Sequence, residues 1–175
     1  MKQQVMMVWA MMRKDLASLW PIAMAAMALL TANIALQGAD VRDIPEAVRL
    51  LLPIVSWVAC AFLIVAVIHA DAPAGTRHEW LTRPVPPSVV VIAKACFVIA
   101  AILLPAIIGE TIAGVRNGLS WSEIGAVVTA VQWNAITTVL TGCVLAAITA
   151  TLLEAAIVAA TVLAIALFIV PLTMR

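Results

Sequence analysis

The chain is poor in charge. Asp, Glu, Lys and Arg make up 11% of its 175 residues, against about 25% in ordinary soluble domains. A water-soluble globule of this length could not cover its surface with so few charges. That argues against a soluble enzyme, a nucleic-acid-binding domain and a disordered tail. The net charge is +1, and no basic run is longer than Arg13-Lys14, so nothing draws the chain toward nucleic acid. Tyrosine is absent. The three cysteines, Cys60, Cys96 and Cys143, are odd in number and each lies inside an apolar stretch. They fit neither a disulfide framework nor a metal spacing, and they read as small buried apolar residues. The phosphate-cradling Gly-x-x-x-x-Gly-Lys-Ser/Thr loop, the serine elbow and recurring paired carboxylates are also missing, so the sequence predicts no enzyme and no cofactor.

What the chain has is apolar length. Apolar residues make up 65% of it and the mean hydropathy is +1.15. Charge-free stretches run over residues 16–39, 50–70, 124–153 and 155–174, and 89–109 is interrupted only by Lys94. A helix rising about 1.5 Å per residue crosses a hydrocarbon core of about 30 Å in roughly 20 residues. The segments are uniformly apolar and lack the alternation of a barrel, and lone strands would leave backbone groups unpaired in lipid. The expected fold is therefore all-α: a polytopic membrane helical bundle forming a single transmembrane domain over residues 1–175. Five spans are expected near 16–37, 50–70, 89–109, 124–148 and 154–173, with a short turn around 149–154. Pro21, Pro53, Pro105 and Pro171 fall near span ends or first turns, where a missing N–H costs little.

Residues 4–12 are apolar on most sides and flanked by Lys2, Arg13 and Lys14. They predict an interfacial helix over about 2–15 lying at the headgroup boundary, with Trp9 at that level. The long stretch after it, with no small-x-small cleavage site, argues against a cleaved signal. With the N-terminus inside, six basic residues (Lys2, Arg13, Lys14, Arg77, Arg83, Lys94) are cytoplasmic and four (Arg42, Arg49, Arg116, Arg175) external, which sets an N-in orientation. Lys94, five residues into the third span, snorkels toward the cytoplasmic surface in this reading.

The loop over residues 71–88 is the least generic segment. Thr76 and Glu79 form a capping-box pattern, Gly75 permits a sharp approach, Pro84 stops the helix at Arg83, and Pro86-Pro87 makes a stiff connector. Ser88 is placed to cap the third span. The pattern predicts a two-turn helix over 76–83, too short to be stable alone. It therefore needs a membrane surface or a protein groove.

The arrangement resembles the permease subunits of ABC-2 type transporters. The residues that carry the likeness are Arg13-Lys14-Asp15-Leu16, then Asp71, Gly75-Thr76, Trp80-Leu81, Pro84-Val85 and Ala93-Lys94. Each is common, but their order within a membranous chain is not. The likeness covers residues 9–110; the later spans match only in hydrophobicity and in the short inner turn between spans four and five. It implies a coupling helix that docks on a separate ABC ATPase subunit, with Thr76, Arg77, Glu79, Trp80, Leu81 and Arg83 as docking residues. In that role Trp80 and Leu81 fill a groove, and the charged residues ring it. It further implies a second permease copy or homologue as partner, a bacterial cytoplasmic (inner) membrane and a six-span unit, of which this chain carries five.

Other candidates have plainer readings. Asn33, Gln132 and Asn134 fit a pathway lining, but ordinary interhelical hydrogen bonds are the favoured reading of each. Glu154 belongs with them. His78-Glu79 starts like a zinc-protease His-Glu-x-x-His, but position 82 is Thr, so the two-ligand helical face is missing. His69 reads as an interfacial residue. A different class of function also fits the composition: a small structural or accessory integral membrane protein without transport activity. The orientation is open to direct test. A reporter active only outside the cytoplasm should be active when fused after residue 42 or 117 and silent after residue 77. The reverse pattern would contradict the N-in assignment.

Overall fold

The computed structural model describes residues 2–37, 45–70, 86–149 and 151–173. Among them every regular element is helical: α1 (Lys2–Gln37), α2 (Glu46–His69), α3 (Pro87–Val98), α4 (Leu104–Arg116), α5 (Trp121–Ile148) and α6 (Leu152–Thr173). α3 passes into α4 through one π-helical turn, Ile99–Leu103. Among the described residues, four helical stretches are long and apolar enough to cross a membrane: Gln4–Leu36, Glu46–His69, Ser88–Arg116 and Trp121–Ile148. α6 is apolar over Leu152–Ile165. The chain is thus an all-α, multi-pass membrane protein.

The residues read as an interfacial helix and a first span form one continuous helix, α1, about 54 Å long at 1.5 Å per residue. The Arg13-Lys14-Asp15 cluster does not break it. Arg and Lys are good helix formers, and Asp15 turns inward, 1% exposed. Pro21 consequently sits in mid-helix rather than in a first turn. The third span also differs from the sequence reading. α3 starts at Pro87, with Pro86 as its N-cap, so Ser88 is inside the helix rather than capping it. Proline at the first helical position loses no hydrogen bond and presets φ. Farther on, the ring of Pro105 would collide with the carbonyl four residues back. The π turn just before it widens the backbone there, with Leu104 N–H bonding to Ile99 O.

α2 lies at the centre, packed against α1, α5 and α6, while α1 also contacts α3 and α4, and α4 contacts α5. Residues 63–67 of α2 are all buried. Five consecutive buried positions mean that neighbours surround this part of the helix on every side. The main core joins Leu63, Ile64, Ala66 and Val67 to Leu19, Ala23 and Ala26 of α1 and to Phe97 and Ile102 of the third span. A second cluster joins Val65 to Ala146 and Ala155. Ser56 Oγ donates to Leu29 O at 3.0 Å, which sets the register of the antiparallel α1–α2 pair. At that register residue 16 of α1 lies level with His69, and residues 2–14 reach past the end of α2.

The opposite end is closed by a tight turn. Gly118 has φ +74. Its N–H bonds to Val115 O at 3.1 Å, and Leu119 N–H to Gly114 O at 3.0 Å, the two bonds of a Schellman motif. Ser120 and Glu123 follow with a reciprocal capping box.

Small residues let the helices approach closely. A Cβ on Gly142 would lie 2.8 Å from Ile64 and 3.2 Å from the carbonyl oxygen of Ala61, whereas one on Gly125 would meet nothing within 4 Å. Gly142→Ala should therefore force α2 and α5 apart and cost about 1–3 kcal/mol. Gly125→Ala should be neutral or stabilising by up to about 1 kcal/mol through helix propensity. Thermal unfolding of the two variants in one detergent checks the contrast.

Candidate functional site

Helix ends meet where residues 71–85 connect α2 to α3. The expected docking residues Thr76, Arg77, Glu79, Trp80, Leu81 and Arg83 lie outside the described residues. Side chains on or next to α1, α2, α3, α5 and α6 lie at the end of the bundle where α2 stops and α3 starts.

The last turn of α2 ends in carbonyls with no partner in their own helix. Lys94 Nζ, from the second turn of α3, donates to one of them, Val67 O. The ammonium stands at the negative end of the α2 dipole, where positive charge is favoured. Snorkelling of Lys94 toward the end of its span does not name this carbonyl as the end point. The side chain reaches across to a neighbouring helix and ties the start of α3 to the end of α2.

A second tie joins α2 to α5. His69 Nε2 lies 3.4 Å from Thr149 Oγ1, and that hydroxyl gives its one proton to Leu145 O at 2.7 Å. Thr149 is thus left as the acceptor, and His69 must donate from Nε2. Thr149 is itself buried. α6 starts beside it, its first turn capped by Thr151 Oγ1, which accepts from Glu154 N–H at 3.2 Å. On α1, Asp15 is buried at this level, and Ser18 Oγ donates to its carbonyl at 3.2 Å. Farther out, Met6, Trp9, Ala10, Arg13, Lys14 and Ala17 line a shallow groove along one face of α1. Trp9 is 67% exposed there. The groove combines an aromatic side chain with two cations, which suits a headgroup boundary.

The polar span residues do not converge. Asn33 is half-buried on α1, whereas Gln132 and Asn134 are exposed on α5. Gln132 and Asn134 are two residues apart and so point about 160° from each other on a helix of 3.6 residues per turn. Glu110 was missed. Its charge served to end the third span at Gly109, yet α4 runs on to Arg116, which puts Glu110 inside the span, half-buried. The apolar Ile112 and Val115 just beyond it were the signal that the helix continues. Among the described residues, no group of three His, Cys, Asp or Glu side chains could hold a metal.

No family model matches the chain, and neither does any curated protein or solved structure.

The contribution of Lys94 can be tested by substitution. Lys94→Met should destabilise the bundle by about 1.5–3 kcal/mol, the usual worth of a hydrogen bond from a charged group. Lys94→Arg should retain most of that. Equal melting temperatures for wild type and Lys94→Met would remove the tie from the account.

Proposed function

We propose that the chain is a membrane permease subunit of an ABC-2 type ATP-driven exporter, coupled to a separate ATPase through residues 71–85. The supporting observation is where that segment is anchored. It leaves the bundle from α2, whose preceding turns are buried on all sides. It rejoins at α3, whose Lys94 holds the last turn of α2. A push on a segment anchored this way passes into the core instead of being absorbed by a loose loop. The order of residues from Arg13 to Lys94 adds the likeness to a coupling helix.

In this reading the chain performs no chemistry. ATP binding closes the ATPase, the ATPase presses on the helix at 76–83, and α2 and α3 tilt together. The working unit holds a second copy or homologue and lies in a bacterial cytoplasmic membrane with its N-terminus inside. Asp15, Lys94 and the Arg13-Lys14 pair then share the cytoplasmic face with the docking segment. The polar residues Asn33, Gln132 and Asn134, with Glu110, are the positions at which substrate contact is to be sought. Exposed or half-buried polar groups in spans mark pathways more often than apolar ones do.

The combined change Trp80→Ala and Arg83→Glu should abolish copurification of an ATPase from native membranes while leaving the bundle's melting temperature unchanged. Copurification at wild-type level would sink the docking assignment and favour a structural or accessory membrane protein.

A further inference from the structure

Met6, Trp9, Ala10, Arg13, Lys14 and Ala17 bound a groove of about 530 Å³ on α1, within the roughly 300–1,000 Å³ of sites that hold small ligands. They recur at three and four residues and so share one face of the helix. Among the described residues, no acid lines this groove. Asp15, the nearest in sequence, is turned into the bundle, 1% exposed. Lys14 has an interaction within the chain. Arg13 is exposed and makes no hydrogen bond or ion pair among the described residues. A groove with two cations and no acid calls for an anion, and a guanidinium offers a phosphate a pair of parallel N–H donors.

Depth and the adjoining surface decide which anion. α2 is 24 residues long, about 36 Å, and so outlasts a hydrocarbon core of about 30 Å by about 3 Å at each end. Its last residue, His69, lies level with residue 16 of α1. Arg13 is three residues farther out, which sets it about 7 Å beyond the hydrocarbon, at headgroup depth. Toward the bilayer the same face continues through Ala17 into Trp20 and Met24, 52% and 43% exposed. The spacing of residues 13, 17, 20 and 24 keeps them on one side of the helix, so the basic groove opens directly onto an apolar track that faces lipid. A free phosphate leaves that track unused, and an acidic peptide does not extend into hydrocarbon. The geometry points to a binding site for one anionic phospholipid. Its phosphate is held by Arg13 beside Lys14, and its acyl chains lie along Ala17, Trp20 and Met24. The outer part of its headgroup rests against Trp9. Basic side chains at the membrane surface recognise anionic headgroups in this way.

This site needs no ATPase and stands apart from the transport reading. It is tested by native mass spectrometry of the purified full chain in detergent, with equal amounts of phosphatidylglycerol and phosphatidylcholine of matched acyl chains. Wild type should retain one phosphatidylglycerol in preference to phosphatidylcholine. Arg13→Gln should lower that preference about five-fold, the scale of one basic residue at an anionic surface, and Arg13→Lys should keep most of it. Arg116→Gln, which removes an exposed cation at the opposite end of the bundle, should behave as wild type. Unchanged melting temperatures would show that each variant is folded. Millimolar inorganic phosphate should leave the lipid in place. Equal retention of the two lipids by wild type would overturn the proposal. So would an equal loss in Arg13→Gln and Arg116→Gln, or displacement of the lipid by inorganic phosphate.

Discussion

The enclosure of residues 63–67 of α2 is the constraint on which the rest of the structure depends. In a bilayer, burying an apolar side chain between helices gains little over leaving it in lipid, so close packing and polar ties hold the helices together. Ala23 and Ala26 bring α1 against α2, and Gly142 brings α5 to within contact of Ile64 and of the Ala61 carbonyl. The carbonyls at the end of α2 have no donor left in their own helix and need partners. Lys94 answers one of them, and His69 extends the helix end to Thr149. The polar groups at this end thus follow from where α2 stops.

The two ends of the bundle are built differently. At the α4–α5 end the backbone does the work: a Schellman turn at Gly118 and a capping box at Ser120 join two helices within residues 117–120. At the α2–α3 end the helices are joined by side chains reaching between them, and the chain between them is long. One end is a tight hairpin, and the other gathers charged and polar side chains around the ends of α2 and α3. That asymmetry is the physical content of the transport reading. It also explains why so many of the scarce charges, including Arg13, Lys14, Asp15 and Lys94, collect at one end.

Much of the fold was legible because apolar length is a strong signal in a chain with few charges. The helical class and the approximate helix positions follow from it. Helix ends were harder to read. Charge was taken as a boundary, so Glu110 cut the third span short and Asp15 divided α1. In the structure both residues lie within helices, since a single ionisable residue is tolerated when it packs against protein. The capping box at Ser120 and Glu123 was overlooked beside the more conspicuous Thr76 and Glu79, although it has the same spacing. The Lys94 contact was out of reach, because its partner is a backbone carbonyl 27 positions away and carbonyls leave no mark in a sequence. The docking residues from Thr76 to Arg83 rest on pattern and likeness.

The central claim is that a partner protein engages residues 71–85, and in-membrane photocrosslinking tests it most directly. A photoreactive residue placed at position 80 of the full chain, in cells that carry the natural partner, should yield an adduct with an ATP-binding protein. The same residue at position 117, at the opposite end of the bundle, should yield none. An adduct with lipid alone at position 80, or equal adducts at both positions, would contradict the account.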